Sequence, residues 1–450
     1  MDIPYDVLSS LCDEFKKYNY IDPSDFERYH VKRGLRNEDG TGVMAGLTRV
    51  CSVRGYVIDD GERVPVPGQL SYRGVDINDL IAGVRADDRF GFEEVIWLLL
   101  FGSLPDAKRL DWFRKVLADA RELPDYFAED MILKAPSRDI MNKLGRSVLA
   151  LYSYDDNPDD ISLENVLRQS IELIARMPAI MSYAYQVKRR HYDGKSMFFH
   201  PLDPSHSIAE SILSSIRPDR AFTDLEAKSL DICLMLHADH GGGNNSTFTT
   251  RVLSSTGTDT YAAISAAIGS LKGPRHGGAN IKAMRMADDI AAHVKNAATD
   301  EAALADYLGH ILRKEAFDGT GLIYGMGHAV YTVSDPRALQ IKEMARALAT
   351  TPELAERFAL LDAIERVTPI LLAERRGQTK PLCANVDLYS GLVYTALNIP
   401  PELFTPMFAV SRMAGWCAHR IEEITTGGKI VRPGYKAVWE KLPYVPLGDR

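Results

Sequence analysis

GFEEVIWLLLFGSLP, residues 91–105, is the stretch whose pattern decides the fold. Phe92, Ile96 and Leu99 return to one face at helical spacing, and Gly102 and Pro105 end the run. From about residue 75 onward amphipathic stretches of this kind recur near 105–120, 138–152, 161–190, 206–217, 223–238, 258–272, 279–296, 300–315, 335–349, 352–375 and 400–424, with short Gly, Pro, Asp or Ser punctuation between them. Helix follows helix without the strand alternation of a doubly wound sheet, so an all-α, multi-helical fold is predicted. The exception is 47–73, LTRVCSVRGYVIDDGERVPVPGQLSYR, where β-branched and aromatic residues flank Asp60-Gly61 and prolines break any helix. That segment predicts one or two β-hairpins near the N-terminus. No repeat of solenoid period and no low-complexity tract appears.

Composition bounds the function. A chain of 450 residues can bury a large core without disulfides or metals, and 46% hydrophobic with 25% charged residues is ordinary for a soluble globular protein. A net charge of −8 gives no general field for nucleic acid or an anionic membrane, so an anionic ligand must be held by locally placed arginines. The one basic run, Lys188-Arg189-Arg190-His191, reads as a helix end, where cations complement the dipole. Five separated cysteines (Cys12, Cys51, Cys233, Cys383, Cys417) without a CxxC argue against a disulfide framework or zinc knuckle and fit a reducing compartment. The first twenty residues lack secretory or transit character, and no run approaches the ~20 apolar residues of a membrane span, so the cytoplasm is the expected location.

Five islands carry the chemistry: HADH at 237–240, GPRHGGAN at 273–280, GMGHAVYTVSDPR at 325–337, NVDLYSG at 385–391 and VSRMAG at 410–415. His237 and His240 are expected on one face at the end of an apolar helix, with Gly241-Gly242-Gly243 closing it and Asn245 or Ser246 capping the next. A metal there would want further ligands, and no HExxH or nearby Cys/Glu set supplies them. His276, between Pro274 and Gly277-Gly278, stands just before a helix start that favours a neutral, donating imidazole; a capping histidine in a tight turn explains it equally well. Gly325 and Gly327 let a ligand approach the backbone, with His328 at the edge; a connector with a surface histidine is the alternative. Asp335 reads as a cap with Pro336 in the first turn and Arg337 at the helix start, facing whatever His328 touches or, the commoner case for an arginine, solvated. Asp387 is explained sufficiently as an N-cap if taken alone. Arg412, in the apolar stretch 404–416, needs an anion, supplied by the protein or by a substrate.

Taken together, HADHGGGNNSTFTTRV, LKGPRHGGAN, GMGHAVYTVSDPR, NVDLYSG and FAVSRMAG resemble the signature set of citrate synthases in order and spacing across at least 230–435, and GLTRVCSV with LSYRGVDI is similar to the family's N-terminal region. The resemblance implies an all-α homodimer with a large domain (1–277 and 389–450) and a small one (278–388) that closes over substrate. It implies condensation of oxaloacetate with acetyl-CoA and hydrolysis of the citryl thioester, without metal or redox cofactor. By the same resemblance His276 would stabilise the enol, Asp387 would take the methyl proton and His328 would polarise the ketone. His240, Arg337, Arg412 and Arg432 would hold the substrate carboxylates, with Arg432 serving the neighbouring subunit. Phe408 would pack beside the substrates, and Gly325, Met326 and Gly327 would receive CoA.

The residue types agree with this chemistry. A thioester α-proton is too weakly acidic for a carboxylate alone, so the base must act with a donor aimed at the developing enolate oxygen, and carboxylates call for arginine forks. Two departures stand out: Thr332 occupies a position that is basic in many relatives, leaving CoA phosphate to Lys380 or Arg189, and Ala329 replaces an arginine common among bacterial members. The rivals are a 2-methylcitrate synthase, since one methylene is worth only ~1–3 kcal/mol in a pocket, and a catalytically silent helical binding protein.

Overall fold

The computed structural model describes residues 3–376, 381–439 and 441–450. Its contacts divide the chain into two units, Leu47–Ile430 and a terminal unit of Met1–Gly46 with Val431–Arg450. In the terminal unit are α1 (Tyr5–Tyr18) and the short α2 (Ser24–Arg28), and the side chain of Lys436 lies over the ring of Tyr29.

The larger unit opens with the hairpin. Strand β1 (Cys51–Asp59) pairs antiparallel with β2 (Glu62–Tyr72), and a short β3 (Val75–Asp76) completes the sheet. Asp59 faces Glu62 across Asp60-Gly61, whose φ values of 47° and 83° give the two-residue turn that matches strand twist. Helices follow: α3 (Ile77–Ala86), α4 (Phe92–Phe101), α5 (Ala107–Asp119), α6 (Ile140–Leu151), α7 (Leu163–Asp193), α8 (Ile208–Ile216), α9 (Asp224–His237), α10 (Asn245–Ser254) and α11 (Thr260–Lys272). Then come α12 (Ala279–His293), α13 (Glu301–Leu312), α14 (Pro336–Leu348), α15 (Pro352–Arg376), α16 (Asp387–Ala396) and α17 (Phe404–Thr425). The expected all-α architecture holds, and α4 ends at Gly102 in the left-handed region, as its sequence requires. Among the described residues no helix is long and apolar enough to cross a membrane.

Packing explains where a site forms. Helix α17 is buried along most of its length and packs against α4, α7, α9, α10 and α11, while α16 packs against α12, α14 and α15. The hairpin meets the segment after His328 through two glycines. A Cβ on Gly68 would lie 2.1 Å from the Ser334 carbonyl oxygen, and one on Gly55 would lie 2.6 Å from that of Val330. Only glycine permits this approach. The hairpin thereby backs the loop that carries His328.

Candidate active site

Helix α9 delivers His237 as its last residue, and His240 lies beyond the helix. The expectation that the two share one helix face is therefore corrected. The chain turns at Ala238, where the Tyr72 hydroxyl bonds the Met235 and Asp239 carbonyl oxygens at 3.0 and 3.2 Å, and Gly241 takes φ 82°. The cap of α10 is Asn244, one residue before the pair expected from sequence, and its side chain accepts the N–H of Ser246.

Arg412, on α17, is completely buried. Its Nε donates to the His237 carbonyl at 2.7 Å, and its guanidinium lies 4.7 Å from the centre of the Phe408 ring, which in turn lies 4.4 Å from that of His237. Nη1 and Nη2 of Arg412, Nδ1 of His237 and Nε2 of His240 reach no hydrogen-bond partner among the described residues. Leaving a buried guanidinium fork uncompensated costs about 3–5 kcal/mol, so this cluster has the form of an anion site. Burial, with the positive field of Arg337 and Arg412, holds His237 and His240 well below the usual imidazole range, leaving both neutral.

His328 joins them. Its ring lies 5.1 Å from that of His240 and stacks at 4.7 Å on Tyr331, whose hydroxyl donates to the Gln69 carbonyl of β2. Its Nδ1 accepts the N–H groups of Val330 and Tyr331 at 3.0 and 3.1 Å. A nitrogen that accepts two backbone donors carries no proton, so the neutral ring presents Nε2–H.

Arg337 lies in the first turn of α14 and is buried, not solvated. Asp335 caps the helix and also grips the guanidinium at Nε (3.0 Å) and Nη2 (2.7 Å). Burial pulls the guanidinium down, but the Asp335 pair outweighs it and holds it above its ordinary range.

His276 sits in the turn between α11 and α12 and does not cap, since Gly278 is the cap residue. Its Nε2 is 3.1 Å from both Asn244 Oδ1 and Ser246 Oγ, and the latter also accepts the Trp416 indole N–H at 3.2 Å. Burial first, then Arg412, brings its pKa down to about 4.

Asp387 is the first residue of α16, after the cap residue Val386, so its carboxylate is not spent on capping. Burial pushes it up to about 6, with Asp335 adding to the rise and Arg337 opposing it. Two guanidiniums thus tie the group together electrostatically. Arg412 acts on His237, His240 and His276, and Arg337 acts on His237, His240 and Asp387.

The glycine loop is zipped to the segment before Asp387. Met326 bridges Ala384, and the Gly327 N–H donates to the Cys383 carbonyl at 2.8 Å, with Gly325 and Gly327 at φ 84° and 86°. Arg432 is exposed in the terminal unit. Arg189 bonds Gln186 Oε1 at 3.1 Å and lies near the Phe198 ring, while Lys380 falls outside the described residues. No group of three or more His, Cys, Asp or Glu among the described residues could hold a metal ion.

Sequence reasoning missed a buried relay behind the site. Asp239 Oδ2 takes a hydrogen bond from His419 Nε2 at 3.0 Å, and His419 Nδ1 accepts from Arg251 at 2.7 Å; Arg251 is itself paired with Glu422 and Glu423. Because arginine only donates, Nδ1 is unprotonated and Nε2–H points at Asp239. The signal was present, since Asp239 lies inside HADH, but its partners sit on α10 and α17.

The family model described as "Citrate synthase, C-terminal domain" matches residues 38–434. A citrate synthase of Haloferax volcanii is 35% identical over 426 residues, covering 93% of this chain and 99% of its own. A 2-methylcitrate synthase of Corynebacterium glutamicum is 30% identical over 429 residues, with 93% and 98% covered. The citrate synthase of Thermoplasma acidophilum, solved as a ternary complex with carboxymethyl coenzyme A and oxaloacetate, superposes with a TM-score of 0.76 at 26% identity over 93% of this chain and 99% of that one. The class is an all-helical transferase of the condensing type, and within it the chain belongs to the citrate synthase family.

Proposed function

We propose that this protein condenses acetyl-CoA with oxaloacetate through an enol and hydrolyses citryl-CoA to citrate and CoA. The observation that carries the reading is the buried fork of Arg412, with both Nη groups unpartnered beside the unpartnered nitrogens of His237 and His240. A dicarboxylate supplies the missing acceptors.

The chemistry follows from the protonation states. Asp387, at about 6, is ionised at neutral pH yet more basic than an ordinary carboxylate, and it takes the methyl proton of the thioester. His276 is neutral, and a ring N–H of the neutral imidazole stabilises the enol oxygen. The enol carbon attacks the ketone, and His328 donates from Nε2 to the oxygen that becomes alkoxide. Water then cleaves the thioester. In this reading Arg337 and Arg412 hold carboxylates and Phe408 packs beside them. The backbone of Gly325, Met326 and Gly327 receives the CoA arm, and no metal or redox cofactor takes part. Residues 278–388 act as a small domain that closes over substrate, and the working unit is a homodimer in the cytoplasm in which Arg432 completes the neighbouring site. The exposure of Arg432, and of apolar Tyr435, Tyr444 and Leu447 beyond it, supports a partner there.

A second reading, 2-methylcitrate synthesis from propionyl-CoA, is favoured by the Corynebacterium relative and uses the same residues. Comparing kcat/KM for the two thioesters decides between them. Asp387→Gly or His276→Gly should abolish thiol release with the fold and dimer intact; near-normal turnover in either removes the assigned roles. A wild-type protein that releases no CoA from either thioester is instead a silent binding protein.

A further inference from the structure

We propose that Asn385 is a positioning residue that fixes Asp387 and the peptide next to His328 in one register. Its side chain spans the two. Nδ2 donates to the Gly327 carbonyl at 2.8 Å, and Oδ1 accepts the N–H of Asp387 at 3.0 Å. Its own backbone N–H donates to the Gly325 carbonyl at 2.9 Å. Each end of the amide meets a backbone group of fixed sense, a carbonyl that only accepts and an N–H that only donates, so the orientation of the amide is determined.

The residue type is dictated by this double task. Aspartate would turn an acceptor toward the Gly327 carbonyl and place a second carboxylate two residues from Asp387. Serine would keep an acceptor for the Asp387 N–H, as in an ST-turn, but is too short to reach Gly327. The surroundings leave little slack. A Cβ on Gly325 would stand 2.8 Å from Leu388 Cα, so the first turn of α16 rests directly on the glycine loop. Whatever binds the Gly325–Gly327 backbone therefore acts, through Asn385, on the position of the base. This rests on the proposed reaction and adds to it a path by which docking of an acyl-CoA arm aligns Asp387.

The test uses the full-length enzyme with Asn385→Ala, Asn385→Ser and Asn385→Asp, each also in an Asp387→Glu background. Displacement of a reacting group by about 1 Å costs roughly 10²-fold, so kcat should fall about that much for Asn385→Ala and about tenfold for Asn385→Ser, which retains one of the two bonds. In the Asp387→Glu background, where the base is already displaced, the Asn385→Ala loss should shrink to about threefold or less, a non-additivity expected of residues acting as one unit. Equal fold losses in both backgrounds, or a lowered melting temperature with kcat per folded molecule unchanged, would overturn the assignment and leave Asn385 a structural residue. If Asn385→Ala does not fold, the Asn385→Ser and Asn385→Asp arms carry the same comparison. A wild type that releases no thiol sinks the reaction itself and this role with it, whereas an active wild type with unaffected variants sinks only the role.

Discussion

Helix α17 carries two fully buried arginines about two turns apart, and they have opposite fates. Arg420 is fully partnered: Nε donates to Thr260 Oγ1, Nη1 to Ser254 Oγ and Nη2 to the Thr258 carbonyl. Arg412 has its Nε on the His237 carbonyl, and its two Nη groups make no hydrogen bond among the described residues. Same helix, same burial, same side chain: the difference is whether the protein supplied the acceptors. At Arg420 it did, and the result is structure. At Arg412 it withheld them, and the result is a site with binding energy in reserve.

Four measurements press on that contrast, beginning with the largest effect. Arg412→Leu should lower kcat/KM for oxaloacetate roughly 10³-fold, about 4 kcal/mol, while the ligand-free melting temperature holds or rises, because an uncompensated buried charge has been removed. A melting temperature that falls instead would mean that Arg412 is a second Arg420. Arg420→Met should do the reverse, costing about 3 kcal/mol in a denaturant melt through stranded partners with kcat per folded molecule little changed. Oxaloacetate at a hundredfold excess over Kd should add about 2.7 kcal/mol of stability to the wild type and to Arg420→Met, but none to Arg412→Leu; an undiminished shift in the last would relocate the anion site.

The smallest effect concerns Asp387, another polar group held in reserve. Its folded pKa, about 6, lies above the unfolded value of 3.8, so the stability it contributes is fully present below 3.8 and is lost as pH rises through about 6. Asp387→Asn should thus be more stable than wild type at pH 8, with the advantage gone near pH 3. Wild-type kcat/KM should fall about tenfold per pH unit below about 6 as the base is protonated. A rate flat down to pH 4 would remove Asp387 from proton transfer.

Much of this was legible in the chain. Helical periodicity fixed the all-α class, Asp60-Gly61 fixed the hairpin turn, and Arg412 in an apolar run announced a need for an anion. What stayed hidden depended on partners distant in sequence. His240 was expected on the helix of His237, because a three-residue spacing reads as one face until the chain is seen to turn at Ala238. Arg337 was placed at a helix start, but its pairing with Asp335 stayed hidden, because it depends on burial that spacing does not report. Asp239 passed unnoticed between two histidines because its partners, His419 and Arg251, lie on other helices. Asn385 passed unnoticed because the carbonyl it holds is 58 residues away.

The sequence by itself determined which side chains were available and the local element that presents each, since periodicity, turn residues and caps are short-range physics. Only the tertiary structure decided which polar groups would be satisfied. Arg412 and Arg420 occupy one helix and could exchange labels in any reading of that helix alone. What separates them is the set of acceptors that α9, α10 and α11 bring, or fail to bring, to each guanidinium, and hydrogen-bond satisfaction in a buried place is settled by packing.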